Sequence, residues 1–266
     1  MAIAPKTLRA GDLDVGVIDD GGGGLPLVLI HGGESDRTQF ETLRGHLSLQ
    51  IRGISYDQRD SGITVNSPTP YTMEDLADDL ADLLDALGLA RAHLLGTSFG
   101  GAVAQHVAIR HPERVASLSL VATTPSFAMG SEAVDELLSM SHADRVLSAP
   151  DYFFTPEGQV AQRAARPAGT LTARTPEQSA RRHEVARQHE VRDRLEVIAA
   201  PTLIVHGTED RLAPYAGALL MKERIPHAEL RSIEGGRHGI ALEFADIVAQ
   251  AVHEFLGVPL QAPSHG

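Results

Sequence analysis

A serine flanked by glycines, placed between an apolar stretch and a helical pattern, constrains the fold of this chain more than any other feature. The segment is Ala92-His93-Leu94-Leu95-Gly96-Thr97-Ser98-Phe99-Gly100-Gly101. A serine on so tight a turn leaves no space for side chains two positions away, which accounts for Gly96 and Gly100. The turn places the Ser98 hydroxyl at a helix N-terminus, where amide groups favour developing negative charge. The segment therefore predicts a nucleophile elbow above a sheet.

The chain around this segment has the pattern of a parallel sheet. From Leu25 onward, apolar strands alternate with amphipathic helices, which predicts a mostly parallel sheet covered on both faces. An antiparallel hairpin pair is expected before them. Thr72 and Asp75 resemble a capping box at the start of the clearest helix, and Gly88 is placed to end it. We predict an α/β fold with a doubly wound sheet of about eight strands, including 6–9, 13–18, 26–30, 51–56, 93–96, 115–121, 202–205 and 229–233.

The alternation stops between Pro125 and Ile198. A stretch of this length without a core strand is typical of an insertion with its own structure, and we expect a helical cap. The predicted organisation is a core formed by 1–124 and 199–258, a cap at 125–198, and a C-terminal tail at 259–266.

Two parts of the predicted cap carry distinctive residues. Its first half contains Tyr152, Phe153 and Phe154 in succession, and these aromatics either line a substrate pocket or anchor the cap on the core. Its second half, from Arg163 to Arg194, is rich in arginine. There, Glu177 and Arg181, and then Glu190 and Arg194, stand four residues apart, which favours a solvated helix face. Binding of an anionic substrate by these arginines is the minor alternative.

The glycine-flanked serine with its strand and helix resembles the α/β-hydrolase family, and the resemblance covers almost everything except the inserted segment. That family orders its catalytic residues as serine, acid and histidine, each after a strand. The resemblance implies that Asp210, after the strand 202–205, is the acid, with Glu209 as the alternative. It also implies that His238, within Gly235-Gly236-Arg237-His238-Gly239, is the base.

The same resemblance implies a pair of backbone donors for an oxyanion. Leu27-Val28-Leu29-Ile30-His31-Gly32-Gly33 is similar to the family's strand and His-Gly loop. Gly33 would offer one N–H group and Phe99 the other, with Gly32 and Glu34 as alternatives to Gly33. We expect His31 to fix this loop through hydrogen bonds rather than to transfer a proton.

The loop Tyr56-Asp57-Gln58-Arg59-Asp60-Ser61-Gly62 is similar to one in hydrolases of the aclacinomycin methylesterase type. Relatives often continue with Gly-x-Ser, whereas this chain has Gly62-Ile63-Thr64. We expect Asp57, Arg59 and Asp60 to form a buried polar network beneath the site rather than to perform chemistry.

Composition and missing motifs exclude several classes of function. The formal charge of −12 and the sequence pI of about 5.5 argue against nucleic acid and membrane surfaces as partners. The chain has no cysteine, no His-Glu-x-x-His motif and no dinucleotide or phosphate-loop motif, so we expect neither a metal nor another cofactor. The absence of a signal-peptide pattern and of cysteine predicts a cytoplasmic protein.

Together these features predict a serine hydrolase in which Ser98, Asp210 and His238 cleave a small-molecule carboxylic ester or lactone through an acyl-enzyme. Two alternatives stay open. Relatives with the same three residues perform other chemistry, including hydrolysis of carbon-carbon bonds. The chain also fits a weakly catalytic receptor for a small ligand. The sequence leaves the oligomeric state open.

Overall fold

A computed structural model describes residues 6–139, 142–165 and 174–259. Its strands are β1 (Lys6–Ala10), β2 (Leu13–Asp19), β3 (Leu25–Ile30), β4 (Ile51–Tyr56), β5 (Ala92–Thr97), β6 (Val115–Val121), β7 (Thr202–Gly207) and β8 (Glu229–Ile233). They form one sheet in the order β1-β2-β4-β3-β5-β6-β7-β8. The first two pair antiparallel, β2 meets β4 antiparallel, and the other neighbours pair parallel. The predicted eight-stranded, mostly parallel fold class is confirmed.

The helices are α1 (Glu41–His46), α2 (Met73–Ala86), α3 (Phe99–Arg110), α4 (Ser131–Ser139), α5 (His142–Phe153), α6 (Pro156–Ala165), α7 (Pro176–Arg187), α8 (Tyr215–Arg224), α9 (Ile240–Glu243) and α10 (Ala245–Leu256). Buried side chains of α2, α3 and α8 belong to one apolar cluster, and those of α1, α9 and α10 to another. Because both faces of the sheet are covered, its central strands are buried along most of their length rather than alternating between buried and exposed residues. The strand β7, for example, is buried along its whole length.

The predicted signals at the ends of α2 are confirmed. The Thr72 hydroxyl accepts a hydrogen bond from the Asp75 N–H (3.1 Å), and the Asp75 carboxylate accepts one from the Thr72 N–H (2.7 Å). After the helix, Gly88 adopts a φ of 70°, the left-handed conformation that glycine adopts without strain.

The helices α4 to α7 lie between β6 and β7, where the sequence predicts the cap. The two ends of this segment meet, because the Val191 N–H donates to the Pro125 carbonyl (2.9 Å). The predicted boundaries, 125–198, stay a prediction. Residues 140–141 and 166–173 of that segment, and the predicted tail apart from Pro259, lie outside the described residues.

Four loops that matter for function leave the same edge of the sheet. They follow the carboxyl ends of the parallel strands β3, β5, β7 and β8, where α/β sheets commonly bind ligands. In the part of the chain that the structure describes, no helix has both the length and the apolar character needed to cross a membrane.

Candidate active site

The turn at Ser98 has the strained backbone that its glycine neighbours predict. Ser98 has φ 52° and ψ −117°, a conformation that few non-glycine residues adopt. A Cβ atom on Gly96 would clash with the Gly100 carbonyl group, and one on Gly100 would clash with the Ile30 carbonyl group. Both glycines are therefore required by the close approach of backbone to backbone.

Hydrogen bonds hold the turn on both sides of Ser98. The Ser98 N–H donates to the Val121 carbonyl (3.0 Å), and the Thr123 hydroxyl donates to the Ser98 carbonyl (2.8 Å). Ser98 itself is partly exposed. Its hydroxyl is thus fixed in direction and still open to a ligand.

Ser98, His238 and Asp210 form one hydrogen-bonded row. The His238 ring lies between the other two, with Nδ1 2.8 Å from Asp210 Oδ2 and Nε2 2.9 Å from Ser98 Oγ. A carboxylate can only accept a hydrogen bond, so Nδ1 carries the hydrogen atom. The Nε2 atom then accepts from the Ser98 hydroxyl. The structure therefore brings together the three residues that the sequence selects as catalytic.

The surroundings of the carboxylate favour Asp210 over the alternative acid. Asp210 Oδ1 accepts hydrogen bonds from the N–H groups of Leu212 (3.0 Å) and Ala213 (2.8 Å), which leaves Oδ2 for His238. The Glu209 side chain is 61% exposed and its carboxylate lies 3.9 Å from the Arg237 guanidinium. Only Asp210 is placed to orient the imidazole.

The predicted oxyanion donors lie beside the elbow. Phe99 is the first residue of α3, so its N–H group has no partner within the helix. The loop after β3 passes next to it, since a Cβ atom on Gly33 would stand 3.7 Å from the Phe99 Cβ. The Gly32 N–H already donates to Gln39 Oε1 (2.8 Å), which favours Gly33 over Gly32 as the second donor.

His31 has the hydrogen-bonding role that the sequence predicts. Its Nδ1–H group donates to the Gly32 carbonyl (2.7 Å), and its Nε2 atom lies 3.0 Å from the Ser61 hydroxyl. Burial, followed by the positive charge of Arg182, lowers the pKa of His31 to about 3. The neutral ring is therefore a fixed support of the loop.

Comparison with known proteins identifies the family to which this fold belongs. The family model described as the α/β-hydrolase fold matches residues 26–184, which is more than half of the chain. The chain belongs to the α/β-hydrolase fold family. A second family model, described as TAP-like protein, matches residues 168–262.

Proteins similar to this chain have names that describe different reactions. A pimeloyl-[acyl-carrier protein] methyl ester esterase of Xanthomonas campestris is 31% identical, over 90% of this chain and 98% of the relative. A non-heme chloroperoxidase of Streptomyces lividans is 32% identical, over 82% of this chain and 86% of the relative. The crystal structure of a hydrolase from Pseudomonas aeruginosa superposes with a TM-score of 0.82 at 26% identity, covering 96% and 98% of the two chains.

The predicted cap aromatics attach α5 to the loop that carries the histidine of this α/β hydrolase. The Phe153 ring meets the His238 ring edge-on, with centroids 5.3 Å apart. The carbonyls of Tyr152 and Phe153 accept hydrogen bonds from the N–H groups of His238 (3.2 Å) and Gly239 (2.7 Å). Phe154 lies beside Phe153, with ring centroids 6.2 Å apart. These contacts favour the anchoring interpretation over the pocket-lining one.

The polar residues after β4 form ion pairs beneath the site, as the sequence predicts. Arg37 pairs with Asp57 (2.5 Å), Arg59 pairs with Asp79 (2.6 Å), and Asp60 pairs with an arginine of α7. Burial raises the pKa of Asp57, against the opposing effect of its hydrogen bonds and of Arg37. Each of these groups is occupied by a partner within the protein.

The arginine-rich segment has the predicted exposed residues, among them Glu177, Glu190 and Arg194, but its ion pairs differ from the predicted ones. Arg181 forms a bidentate pair with Asp60 (2.7 and 2.8 Å) on the core, and Glu190 pairs with Arg192 (2.6 Å). An exposed pair four residues apart on a helix contributes only about 0.5 kcal/mol, whereas an unpaired buried carboxylate is costly. The buried Asp60 therefore attracts the guanidinium that the sequence pattern assigned to Glu177.

Two residues near the site escape the sequence analysis. His206, at the end of β7, donates from Nε2 to the Ala213 carbonyl (2.7 Å) and places the same atom 3.6 Å from Asp210 Oδ2. Its position four residues before the acid is the one signal available. Arg182 is buried against Gly33 and Phe99, and nothing in the sequence distinguishes it from the neighbouring arginines.

Proposed function

We propose that this protein is a serine hydrolase that cleaves a small-molecule carboxylic ester or lactone through an acyl-enzyme. The single observation that carries the proposal is the row of Ser98, His238 and Asp210 on a strained elbow. Membership of the α/β-hydrolase family supports a hydrolytic reaction. The methyl ester esterase among the relatives supports an ester as the bond that is cleaved.

In the proposed acylation, Ser98 Oγ attacks the substrate carbonyl while His238 Nε2 takes the hydroxyl proton. Asp210 stabilises the imidazolium that forms. The carbonyl oxygen becomes an oxyanion, which accepts hydrogen bonds from the Gly33 and Phe99 N–H groups. When the intermediate collapses, the bond to the leaving oxygen breaks, and His238 returns its proton to that oxygen. The acyl group is then esterified to Ser98.

Deacylation repeats these steps with water. His238 removes a proton from the water as its oxygen attacks the acyl carbonyl, and the same two N–H groups stabilise the second oxyanion. Collapse breaks the bond to Ser98 Oγ, which recovers its proton from His238. The products are the free acid and an alcohol, or one hydroxy acid when the substrate is a lactone.

The test combines labelling with turnover. Wild-type protein should react stoichiometrically with a fluorophosphonate at Ser98 and hydrolyse p-nitrophenyl acetate or butyrate. Ser98→Ala should not be labelled, and its turnover should be about a millionfold lower, because the three residues act as a unit. Ser35→Ala, which changes a serine on the loop after β3, should keep both. Slow labelling without turnover, or turnover that survives in Ser98→Ala, would contradict the proposal, and the first result would favour the ligand receptor.

The bond that is cleaved is a separate question from the catalytic residues. Esters, lactones and vinylogous diketones should be assayed with one preparation, with Ser98→Ala as the blank. We expect an ester or a lactone to be hydrolysed fastest. A preference for the diketone would assign the protein to carbon-carbon hydrolysis. The cytoplasmic location expected from the sequence stays a prediction.

A further inference from the structure

A single buried guanidinium contacts both residues proposed as oxyanion donors. Arg182 of α7 is 2% exposed. Its Nε atom donates to the Gly33 carbonyl (3.2 Å) and its Nη1 atom to the Arg59 carbonyl (2.9 Å). Its Cζ atom lies 4.5 Å from the centroid of the Phe99 ring, within the range of a cation-π contact. This arginine therefore contacts the carbonyl of one donor residue and the ring of the other, and leaves both N–H groups free for a ligand.

The charge of Arg182 is poorly compensated for so buried a cation. Its neighbours Arg59 and Arg181 have carboxylate partners in Asp79 and Asp60. Among the described residues, no carboxylate forms an ion pair with Arg182. The groups that favour its charged form are the Tyr71 hydroxyl and the Glu34 carboxylate, and Glu34 already pairs with Arg174 and His183. Burying a charge without a carboxylate is costly, so a structural role in docking α7 is a weak explanation for it.

The side chain keeps its charge at neutral pH. Burial, followed by the positive charge of Arg174, lowers the pKa of Arg182 to about 10. A group with that pKa is still protonated throughout the range in which a histidine base works. Positive charge is thus present next to the oxyanion donors during the proposed reaction.

Gly33 needs such an anchor because glycine has the greatest backbone freedom of any residue. The peptide group before Gly33 carries the proposed donor N–H, and its carbonyl, on Gly32, accepts from His31. The peptide group after Gly33 is held through its own carbonyl by Arg182. His31 therefore holds the peptide plane that contains the Gly33 N–H group, and Arg182 restrains Gly33 from the other side, so that this N–H group keeps its direction.

We propose that Arg182 is a positioning residue for the oxyanion site, which holds Gly33 by its carbonyl, packs on Phe99 and places positive charge behind the two donors. This inference rests on the proposed function, because the oxyanion forms only if Ser98 attacks a carbonyl. The effect should appear in the transition state more than in the bound substrate, since the charge stabilises an oxygen that becomes negative during the reaction.

Arg181 provides a matched control. It is the adjacent arginine of α7, it also ties the helix to the core through Asp60, and its hydrogen bonds go to Asp60 and the Pro68 carbonyl rather than to Gly33. A variant of Arg181 therefore loosens the docking of α7 without removing the anchor on Gly33. Equal damage from both variants would mean that docking alone matters.

The experiment compares Arg182→Met, Arg182→Lys and Arg181→Met with the wild type in two assays. The first measures kcat and KM for p-nitrophenyl acetate, normalised to the fraction of protein that a fluorophosphonate labels, so that misfolded protein is not counted. The second measures inhibition by phenylboronic acid, which forms an anionic tetrahedral adduct with an active serine. For Arg182→Met we expect kcat to fall roughly 10- to 100-fold with KM changed less than threefold.

The boronate affinity of Arg182→Met should fall by a similar factor. Arg182→Lys, which keeps the charge and loses the forked contact, should recover part of both losses. Arg181→Met should stay within about threefold of the wild type in both assays. If Arg182→Met behaves like Arg181→Met, or keeps its boronate affinity, the inference is overturned while wild-type turnover leaves the proposed function intact. If the wild type showed no turnover that depends on Ser98, both the proposed function and this inference would be contradicted.

Discussion

The two sides of Ser98 differ in whether side chains or backbone groups would act on the substrate. On one side, which we call the proton side, the His238 side chain lies 2.9 Å from Ser98 Oγ and 2.8 Å from the Asp210 carboxylate. On the other, the oxyanion side, Gly33 and Phe99 contribute backbone N–H groups. The proton side is defined by its own functional groups, whereas the oxyanion side depends on whichever side chains hold the backbone in place.

The segment between β6 and β7 supports the two sides in different ways. Its helix α5 offers the carbonyls of Tyr152 and Phe153 to the loop of His238, which are neutral contacts. Its helix α7 offers the guanidinium of Arg182 to the loop of Gly33, which is a charged contact. We therefore expect substitutions on the proton side to act on proton transfer, and those on the oxyanion side to act on charge stabilisation.

The largest effect should come from Asp210→Asn on the proton side. In this variant the amide oxygen would stay with the N–H groups of Leu212 and Ala213, so the NH2 group would face His238 Nδ1. An NH2 group only donates, so it favours the tautomer with hydrogen on Nε2, which cannot accept the Ser98 proton. We expect kcat for p-nitrophenyl acetate to fall about ten-thousandfold. The control is Glu209→Gln, the neighbouring exposed carboxylate, which should change kcat less than twofold. If kcat fell more in Glu209→Gln than in Asp210→Asn, Glu209 rather than Asp210 would be the catalytic acid.

Most of the proton side could be predicted from the sequence. The glycine-flanked serine marks a strand-turn-helix, and the resemblance to the α/β hydrolases selects the acid and the histidine, each of which follows a later strand. Parallel strands bring their carboxyl ends to one edge, so residues distant in the chain are expected to meet there. His206 was missed because a buried histidine at a strand end looks the same in sequence whether or not it approaches a carboxylate.

The support of the oxyanion side could not be predicted from the sequence. The spacing of Glu177 and Arg181 on α7 favours an ion pair between them. In the structure, Arg181 instead pairs with the buried carboxylate of Asp60. Which face of α7 meets the core is decided by tertiary packing between distant segments. For the same reason, nothing in the periodicity of α7 distinguishes Arg182 from the arginines around it.

The next largest effect should be on the free energy of unfolding, through buried rings that pack behind Phe99 on the oxyanion side. The Phe99 ring stacks on Phe127 (6.4 Å between centroids), Phe127 packs on His189 (4.9 Å), and His189 lies 3.3 Å from His106. Burial lowers the pKa of His189 to about 4, from an ordinary value of 6.5. Between these values the unfolded chain binds the proton more readily than the folded protein, so the free energy of unfolding should fall as the pH decreases from 6.5 to 4.

Denaturant unfolding at pH 7 and pH 4.5 tests this prediction. His189→Gln keeps a donor for the Thr124 carbonyl and removes the titrating ring. Between the two pH values, the wild type should lose about 2 kcal/mol more of its free energy of unfolding than His189→Gln does. His46→Gln, at an exposed histidine, should follow the wild type. An identical loss in all three proteins would show that His189 does not carry the acid sensitivity.

The smallest effect should come from Gln39, which holds the oxyanion loop from the core rather than from α7. Its Oε1 atom accepts from the Gly32 N–H (2.8 Å), and its Nε2 atom donates to the Thr97 hydroxyl (2.8 Å). Gln39→Met leaves that N–H group without its acceptor, so the free energy of unfolding should fall by about 1 kcal/mol and kcat by about tenfold. Gln39→Glu keeps an acceptor and adds negative charge beside the oxyanion side. It should therefore preserve stability better than Gln39→Met and lower kcat further, whereas a higher kcat in the glutamate variant would show that loop geometry outweighs charge there.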